Sequence, residues 1–383
     1  MLRSVKIENF RGLQSLELPD LGRLNLLVGA NNCGKTSILE AIQLLCSKNN
    51  LEPIRDSMIR RGEYFFEQPN QSLDFDIRHL FYSHLIDPNI EFKISGLNND
   101  ICETVIATII LDPDRFKYST KFRDRTFEYI NPDADIFDEL SLVITWRTGE
   151  IRKDWEKEKY FDNFRFPLSV DETIPDNLIV KFTRYSKSHK KTEGRTNFIE
   201  SSSLTSEKMI ELFNNIVLTS EEQPVHQALQ TIEPKFKRIA VSSQFTRFSQ
   251  SREGFLVRLS DRDRPVPIGS LGDGIWRMLG LALAIVNTRD GFLFIDEIDT
   301  GLHYTAMADM WKLVWETAKR LNVQVFATTH SSDCWRSLAT IASEVDTPEE
   351  GIRIHRIERD KPQSIVFTEK EMAIAATQDI EVR

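Results

Sequence analysis

The chain has 383 residues, 40% hydrophobic and 28% charged, with a formal net charge of −9 at pH 7. This describes a globular protein with material for a sizeable core, in one large domain or a few ordinary ones. The acidic balance argues against a general nucleic-acid binder coated in positive charge, while leaving room for a local basic groove.

No apolar run reaches the ~18 residues of a membrane span, and the opening MLRSVKIENF lacks the apolar core of a signal peptide. Cys33, Cys46, Cys102 and Cys334 lie apart without C-x-x-C spacing, which argues against zinc and against a disulfide framework. A reducing, cytoplasmic compartment is the expectation.

In chain order, Leu2–Glu8 and Leu13–Leu18 alternate apolar with polar residues and predict strands around the turn Asn9–Gly12. Leu24–Val28 is a short apolar strand. The stretch GANNCGKTS follows, then a helix with Ile38, Ala41, Ile42 and Leu45 on one face. The pattern weakens after Asn49, where Ser72–Ser83 suggests a helix. Ile90–Ser95, Thr104–Leu111 and Leu140–Arg147 alternate as antiparallel strands, and Phe161–Phe166 and Leu178–Tyr185 continue the series. Thr205–Asn215 and Glu221–Ile232 read as helices. Strands return at Arg238–Gln244 and Gly254–Leu259, and a polar connector leads into SLGDG and an apolar helix, Gly274–Val286. Strand Phe292–Ile295, helix Thr305–Leu321 and strand Val323–Ala327 follow. A strand pair (Ile352–Glu358, Ser364–Phe367) and a helix from Lys370 close the chain.

The turn after Leu24–Val28 fits G-x-x-x-x-G-K-[ST], with Gly29, Gly34, Lys35 and Thr36 in the fixed places and Asn31, Asn32 and Ser37 within or beside it. Glycines let successive N–H groups point inward as a nest for phosphate oxygens, and the helix starting near Lys35 adds free amides and a positive dipole end. Lys35 suits the β/γ-phosphates of ATP, and the Thr36 hydroxyl suits Mg²⁺. Phe292–Ile295 ends in Asp296-Glu297, at the strand end where open α/β sheets bind ligands. Asp296 is the expected Mg²⁺ carboxylate and Glu297 the general base for water. One strand later, His330 in ATTHS is placed to donate to the γ-phosphate.

GANNCGKTS, SLGDG, FLFIDEIDTGLH and ATTHS, in this order, resemble an ABC-type ATPase head of the SMC, RecF and OLD group, and IENFRGLQSLEL resembles that group's first strands. The resemblance implies an α/β fold: a P-loop NTPase sheet of the ABC-ATPase type with an inserted antiparallel-β plus helical subdomain. It also implies that Ser270, Gly272 and Gly274 of the signature cap the γ-phosphate held by a second copy, so that two ATP are sandwiched in a homodimer. Asp299 becomes the residue communicating between the sites. The signature departs from the transporter-like LSGGQ by carrying Asp273, and the Q-loop glutamine has only Gln68 and Gln71 as candidates.

The expected division is residues 1–50 and 236–383 for the ATP-binding domain and 51–235 for the insertion. No heptads continue long enough for SMC-type arms, and about fifty residues follow His330, too few for a TOPRIM nuclease. The patterns Asp112-x-Asp114 and Asp133-x-Asp135 read more simply as solvated turns than as a nuclease centre. Lys181–Arg195 holds six basic residues against Glu193, as a solvated loop or a hairpin tip that touches nucleic acid. The function expected is ATP hydrolysis by a head that controls a separately encoded effector or nuclease, as in bacterial anti-phage systems. A RecF-like DNA-binding repair factor is the alternative, and an ATP-binding scaffold a third.

Overall fold

The computed structural model describes residues 1–48, 50–66, 73–98, 101–112, 118–122, 125–129, 140–150, 159–169, 171–189, 195–242, 254–343 and 351–383. The chain begins with β1 (Ser4–Phe10), β2 (Leu13–Leu18), β3 (Leu24–Val28) and α1 (Lys35–Cys46). Next come α2 (Glu52–Arg61), β4 (Tyr64–Phe65), β5 (Asp74–Asp76), β6 (Glu91–Asn98), β7 (Ile101–Leu111), β8 (Tyr118–Phe122) and β9 (Arg125–Tyr129). They are followed by β10 (Leu140–Glu150), β11 (Lys159–Pro167), β12 (Thr173–Pro175), α3 (Asp176–His189), β13 (Thr196–Ile199), α4 (Ser206–Asn214) and α5 (Glu222–Ile232). Then come β14 (Phe236–Val241), β15 (Phe255–Leu259), β16 (Val266–Pro267), α6 (Asp273–Val286), β17 (Phe292–Ile295) and α7 (Met307–Leu321). The last elements are β18 (Gln324–Thr328), α8 (Ser332–Ala342), β19 (Ile352–Arg356), β20 (Ile365–Phe367) and α9 (Glu369–Thr377).

The chain divides into two compact units: Met1–Asp20 with Thr36–Gly194 and Arg359–Ser364, and Leu21–Lys35 with Arg195–Glu358 and Ile365–Arg383. These bounds differ from the division at 50 and 236 read from the sequence, and strand pairing explains why. β1 hydrogen-bonds β6, which draws the N-terminal hairpin into the inserted sheet. β13 pairs with β17, which draws the chain from Arg195 into the parallel sheet.

The first unit is built on an antiparallel sheet, β11-β10-β7-β6-β1-β2. Alternation puts one residue in two on the core face. The register aligns Phe92, Ala107, Ile144 and Phe164 as one buried row across four strands. The expected strand Leu178–Tyr185 is instead part of α3. Its alternation is fortuitous: Ile179 and Thr183, four apart, are the buried positions, and Phe182 meets Phe164 and Phe166 edge-on. The helix expected at Ser72–Ser83 is also absent. β5 and two single 3₁₀ turns lie there, interrupted by Ser83 at φ 68°. α2, not expected from the sequence, has Pro53 in its first turn and ends on left-handed Gly62.

The second unit is α/β. Its sheet runs β13-β17-β18-β3-β19-β20, with every pair parallel except β19–β20. β3 and β18 are buried at every residue, as central strands of a covered parallel sheet are. α6 is buried from Ile275 through Val286, and Trp311 and Trp335, from α7 and α8, are buried in the same apolar core. Parallel register brings the C-terminal ends of β13, β17, β18 and β3 to one edge of this sheet.

Candidate active site

At that edge β3 turns into the phosphate-loop sequence. The backbone has positive φ at Gly29 (144°), Asn32 (60°) and Gly34 (95°), the curl that turns amides inward. Gly29 has no space for a side chain, since a Cβ there would lie 2.4 Å from the Ile357 carbonyl oxygen. Ala30, Asn31 and Asn32 are exposed along the loop, while Cys33 is buried beneath it as a free thiol. Lys35 is only 6% exposed. Its Nζ donates to the carbonyls of Gly29 and Ala30, both at 2.9 Å, and lies 3.7 Å from Cys33 Sγ. Burial holds its pKa below the ordinary lysine value, opposed by the carboxylates of Asp296 and Glu297 among others.

β17 delivers Asp296 and Glu297, and β18 delivers Thr328, Thr329 and His330. Thr328 ties the two strand ends together: its Oγ1 donates to Asp296 Oδ1 at 2.7 Å and accepts from the Glu297 N–H at 2.8 Å. Glu297 is left-handed, at φ 46°, and its Oε2 accepts from the Thr300 hydroxyl at 3.1 Å. His330 has its pKa lowered by burial and then by the Lys35 cation, against the pull of Glu297, Asp299 and Asp296. Its ring is therefore neutral near pH 7, with an N–H to donate. Its backbone carbonyl accepts from the Arg383 guanidinium at 2.6 Å. Lys35, Asp296, Glu297, Asp299 and His330 thus form one electrostatic group.

Asp299 Oδ1 accepts from Thr329 Oγ1 at 2.6 Å, fixing the turn that leads to Gly301 at φ 78°. That turn backs the signature stretch, because the Gly301 carbonyl lies 3.5 Å from where a Gly274 Cβ would be. Ser270 and Gly272 are exposed just before α6, with the Ser270 hydroxyl donating to the Pro267 carbonyl at 2.7 Å. They stand at an open helix N-terminus, outside the Lys35–His330 group.

In the first unit, α1 continues through Thr36, which is half-buried, and Ser37, which is buried. The Ser37 hydroxyl, expected to touch nucleotide, accepts from Arg61 at 3.2 Å. Arg61 in turn pairs with buried Glu40, which also holds Arg11 at 2.9 Å. Asp112 is no solvated turn: it is buried, accepting from Ser141 at 2.9 Å and paired with Arg165 at 2.5 Å. Among the described residues no group of three His, Cys, Asp or Glu is arranged to hold a metal ion. The basic run enters α3 up to His189 rather than a hairpin tip. Gln68, Gln71, Asp114, Asp133, Asp135, Lys190 and Lys191 lie outside the described residues. No helix among the described residues is long and apolar enough to cross a membrane.

Sequence reasoning missed Arg277, on α6, which is buried and donates to the carbonyls of Glu200, Asp296 and Glu297. The available signal was a single charge inside an apolar helix.

The AAA ATPase domain family matches residues 1–334. The chain belongs to that family. It is an ATPase, of the broad group that also includes RecF, Rad50 and OLD proteins. It is 22% identical over 370 residues to an ATP/GTP phosphatase of Helicobacter pylori, covering 90% of each chain. Over a 45-residue stretch it is 49% identical to the OLD nuclease of Thermus scotoductus, 12% of this chain and 8% of that one. A solved SMC head bound to the C-terminal winged-helix domain of ScpA is similar at a TM-score of 0.46 and 11% identity, covering 96% of this chain and 98% of that chain.

Proposed function

We propose that this ATPase binds Mg²⁺–ATP on Gly29–Thr36, hydrolyses it with Asp296, Glu297 and His330, and dimerises around it through Ser270–Gly274. The observation that carries the reading is the grouping of Lys35, His330, Asp296 and Glu297 at one strand edge. Lys35, whose Nζ sits on the Gly29 and Ala30 carbonyls of its own loop, neutralises phosphate charge. The donor set fits Mg²⁺, since Asp296 and the hydroxyl of Thr36, next to Lys35 in the chain, are hard oxygen ligands. Bound there, Mg²⁺ supplies charge neutralisation and orients the phosphates. Glu297, with its backbone held on both sides, takes a proton from water. Neutral His330 donates a hydrogen bond and senses loss of the terminal phosphate.

Asp299 connects this chemistry to the signature turn through Thr329. ATP bridging two copies is released on hydrolysis, and the opening and closing of the pair controls a separately encoded effector or nuclease, as in bacterial defence. The exposed N-terminus of α6 supports the dimer: the positive end of the helix, with Ser270 and Gly272 exposed before it, suits an anion brought by a second copy.

Glu297→Gln should lose hydrolysis while retaining ATP and accumulating a dimer, read by phosphate release and size-exclusion chromatography with light scattering. Unchanged phosphate release would remove the base assignment. ATP-dependent dimers that survive substitution of both Ser270 and Gly272 would remove the sandwich.

A further inference from the structure

We propose that Arg277 is a positioning residue for ATP hydrolysis, holding the Asp296-Glu297 turn from the helix that begins at the signature stretch. The proposal deepens the reading above and rests on Glu297 being the base. α6 reads DGIWRMLGLALAIV, and Arg277 is its one cation, 2% exposed among residues that are otherwise apolar. Removing a guanidinium from water costs several kcal/mol, and a helix that needed only to pack would carry a leucine there. The carboxylates of Asp299, Asp296 and Glu297 offset part of that cost, while the hydrogen bonds go to backbone. One terminal nitrogen donates to Glu200 O at 2.5 Å, and the other to Asp296 O at 3.0 Å and Glu297 O at 2.9 Å. These carbonyls end β13 and β17.

The Glu297 contact is the informative one. Its backbone is left-handed, a conformation that costs a residue with a side chain about 1–2 kcal/mol. It is held from both sides, the N–H by Thr328 Oγ1 and the C=O by Arg277. Without the guanidinium, the Glu297–Ile298 peptide keeps only the bonds from the Thr300 N–H to Glu297 O and from the Ile298 N–H to Thr328 O, both at 3.0 Å, and the Glu297 carboxylate is held less firmly on its line. Arg277 stands one turn into the helix that Gly272 and Asp273 open, so a displacement at the signature is carried by a rigid element to the hydrolytic turn.

The test uses the full chain with Arg277→Lys and Arg277→Ala, comparing steady-state ATPase with equilibrium binding of a fluorescent ATP analogue. Expected is a kcat lower by about tenfold or more with nucleotide Kd within about twofold. Millimolar guanidinium should restore part of the activity of Arg277→Ala, and methylammonium at equal ionic strength should not. Wild-type kcat in Arg277→Lys overturns the proposal, as does a parallel fall in kcat and binding without guanidinium rescue. If Arg277→Ala does not fold, Arg277→Lys decides alone by its kcat against its Kd. Glu297→Gln is run beside them. Hydrolysis lost there but kept in Arg277→Lys sinks the Arg277 role only, whereas hydrolysis kept in Glu297→Gln sinks the base assignment and this proposal with it.

Discussion

Replacing Gly29 by alanine asks whether the conformation of the phosphate loop, and not only its side chains, makes the nucleotide site. At φ 144° the new Cβ would lie 2.4 Å from the Ile357 carbonyl oxygen and 3.1 Å from Cys33 Sγ. The carbonyl has little room to retreat, because the Ile357 N–H is bonded to Val28 O at 2.8 Å. Backbone in this region costs a non-glycine residue about 1–3 kcal/mol, and forcing in a methyl group typically adds about 1–3 kcal/mol. The loop relieves the clash by lifting away from Ile357. That movement carries the Gly29 and Ala30 carbonyls off Lys35 Nζ, which they hold at 2.9 Å. Since ~1.4 kcal/mol is a factor of ten in affinity, the Kd for a fluorescent ATP analogue should rise about 10- to 100-fold, and the melting temperature should fall. Gly12→Ala is the control: a Cβ there meets nothing within 4 Å. Its stability should stay within about 0.5 kcal/mol of wild type. Wild-type affinity and melting in Gly29→Ala would refute the reasoning.

Two further outcomes are expected. Glu40→Ala removes the buried carboxylate that lies 2.9, 3.1 and 3.8 Å from Arg11, Arg61 and Arg60, while Arg11 keeps Glu63 at 2.6 Å. It should cost about 3–5 kcal/mol in urea unfolding, against less than ~1 kcal/mol for Glu8→Ala at the exposed Lys6 pair. Equal costs would show that burial is not what matters. For His330, a folded pKa depressed by burial and by Lys35 means that the native state favours the neutral ring. Its contribution is complete above the ordinary value of 6.5 and is lost as pH falls below that toward the folded pKa. His330→Asn should therefore flatten the acid side of the stability–pH curve slightly, measured by urea unfolding at pH steps from neutral downward. An unchanged curve would mean that the ring is solvated like a free histidine.

The turn from Gly29 to Lys35 was legible because its demands are local. Gly29 and Gly34 sit at positive φ, and Lys35 folds onto carbonyls five and six residues before it. Apolar strands ending in Asp296-Glu297 and in His330 were legible for a related reason, since parallel register then sets their ends side by side. Where the reading went wrong, two periods competed. Leu178–Tyr185 alternates like a strand, yet it is helical: Ile179 and Thr183, at spacing four, are its buried positions, and Phe182 meets Phe164 and Phe166 edge-on. Ser37 shows the limit of motif reading. Its place beside Thr36 implies nucleotide, and no local pattern announces that its hydroxyl also accepts from Arg61, twenty-four residues on.

The supports of the site were harder to see than the site itself, and Arg277 explains why. A catalytic carboxylate announces its partner by type, because acids seek cations, hydroxyls or metals. Arg277 binds main-chain oxygens of Glu200, Asp296 and Glu297, which any residue would present. The far side of such a contact leaves no trace in the sequence. The near side does: one arginine in a helix buried from Ile275 to Val286. Burying that charge is unfavourable even with the carboxylates of Asp299, Asp296 and Glu297 offsetting part of the cost, so the hydrogen bonds to these carbonyls are what the side chain is placed to make. Among the described residues, those carbonyls follow β13 and β17, where Glu297 keeps a left-handed backbone. A buried charge aimed at backbone beside a left-handed acid thus marks the same turn that the motifs single out, on grounds independent of them.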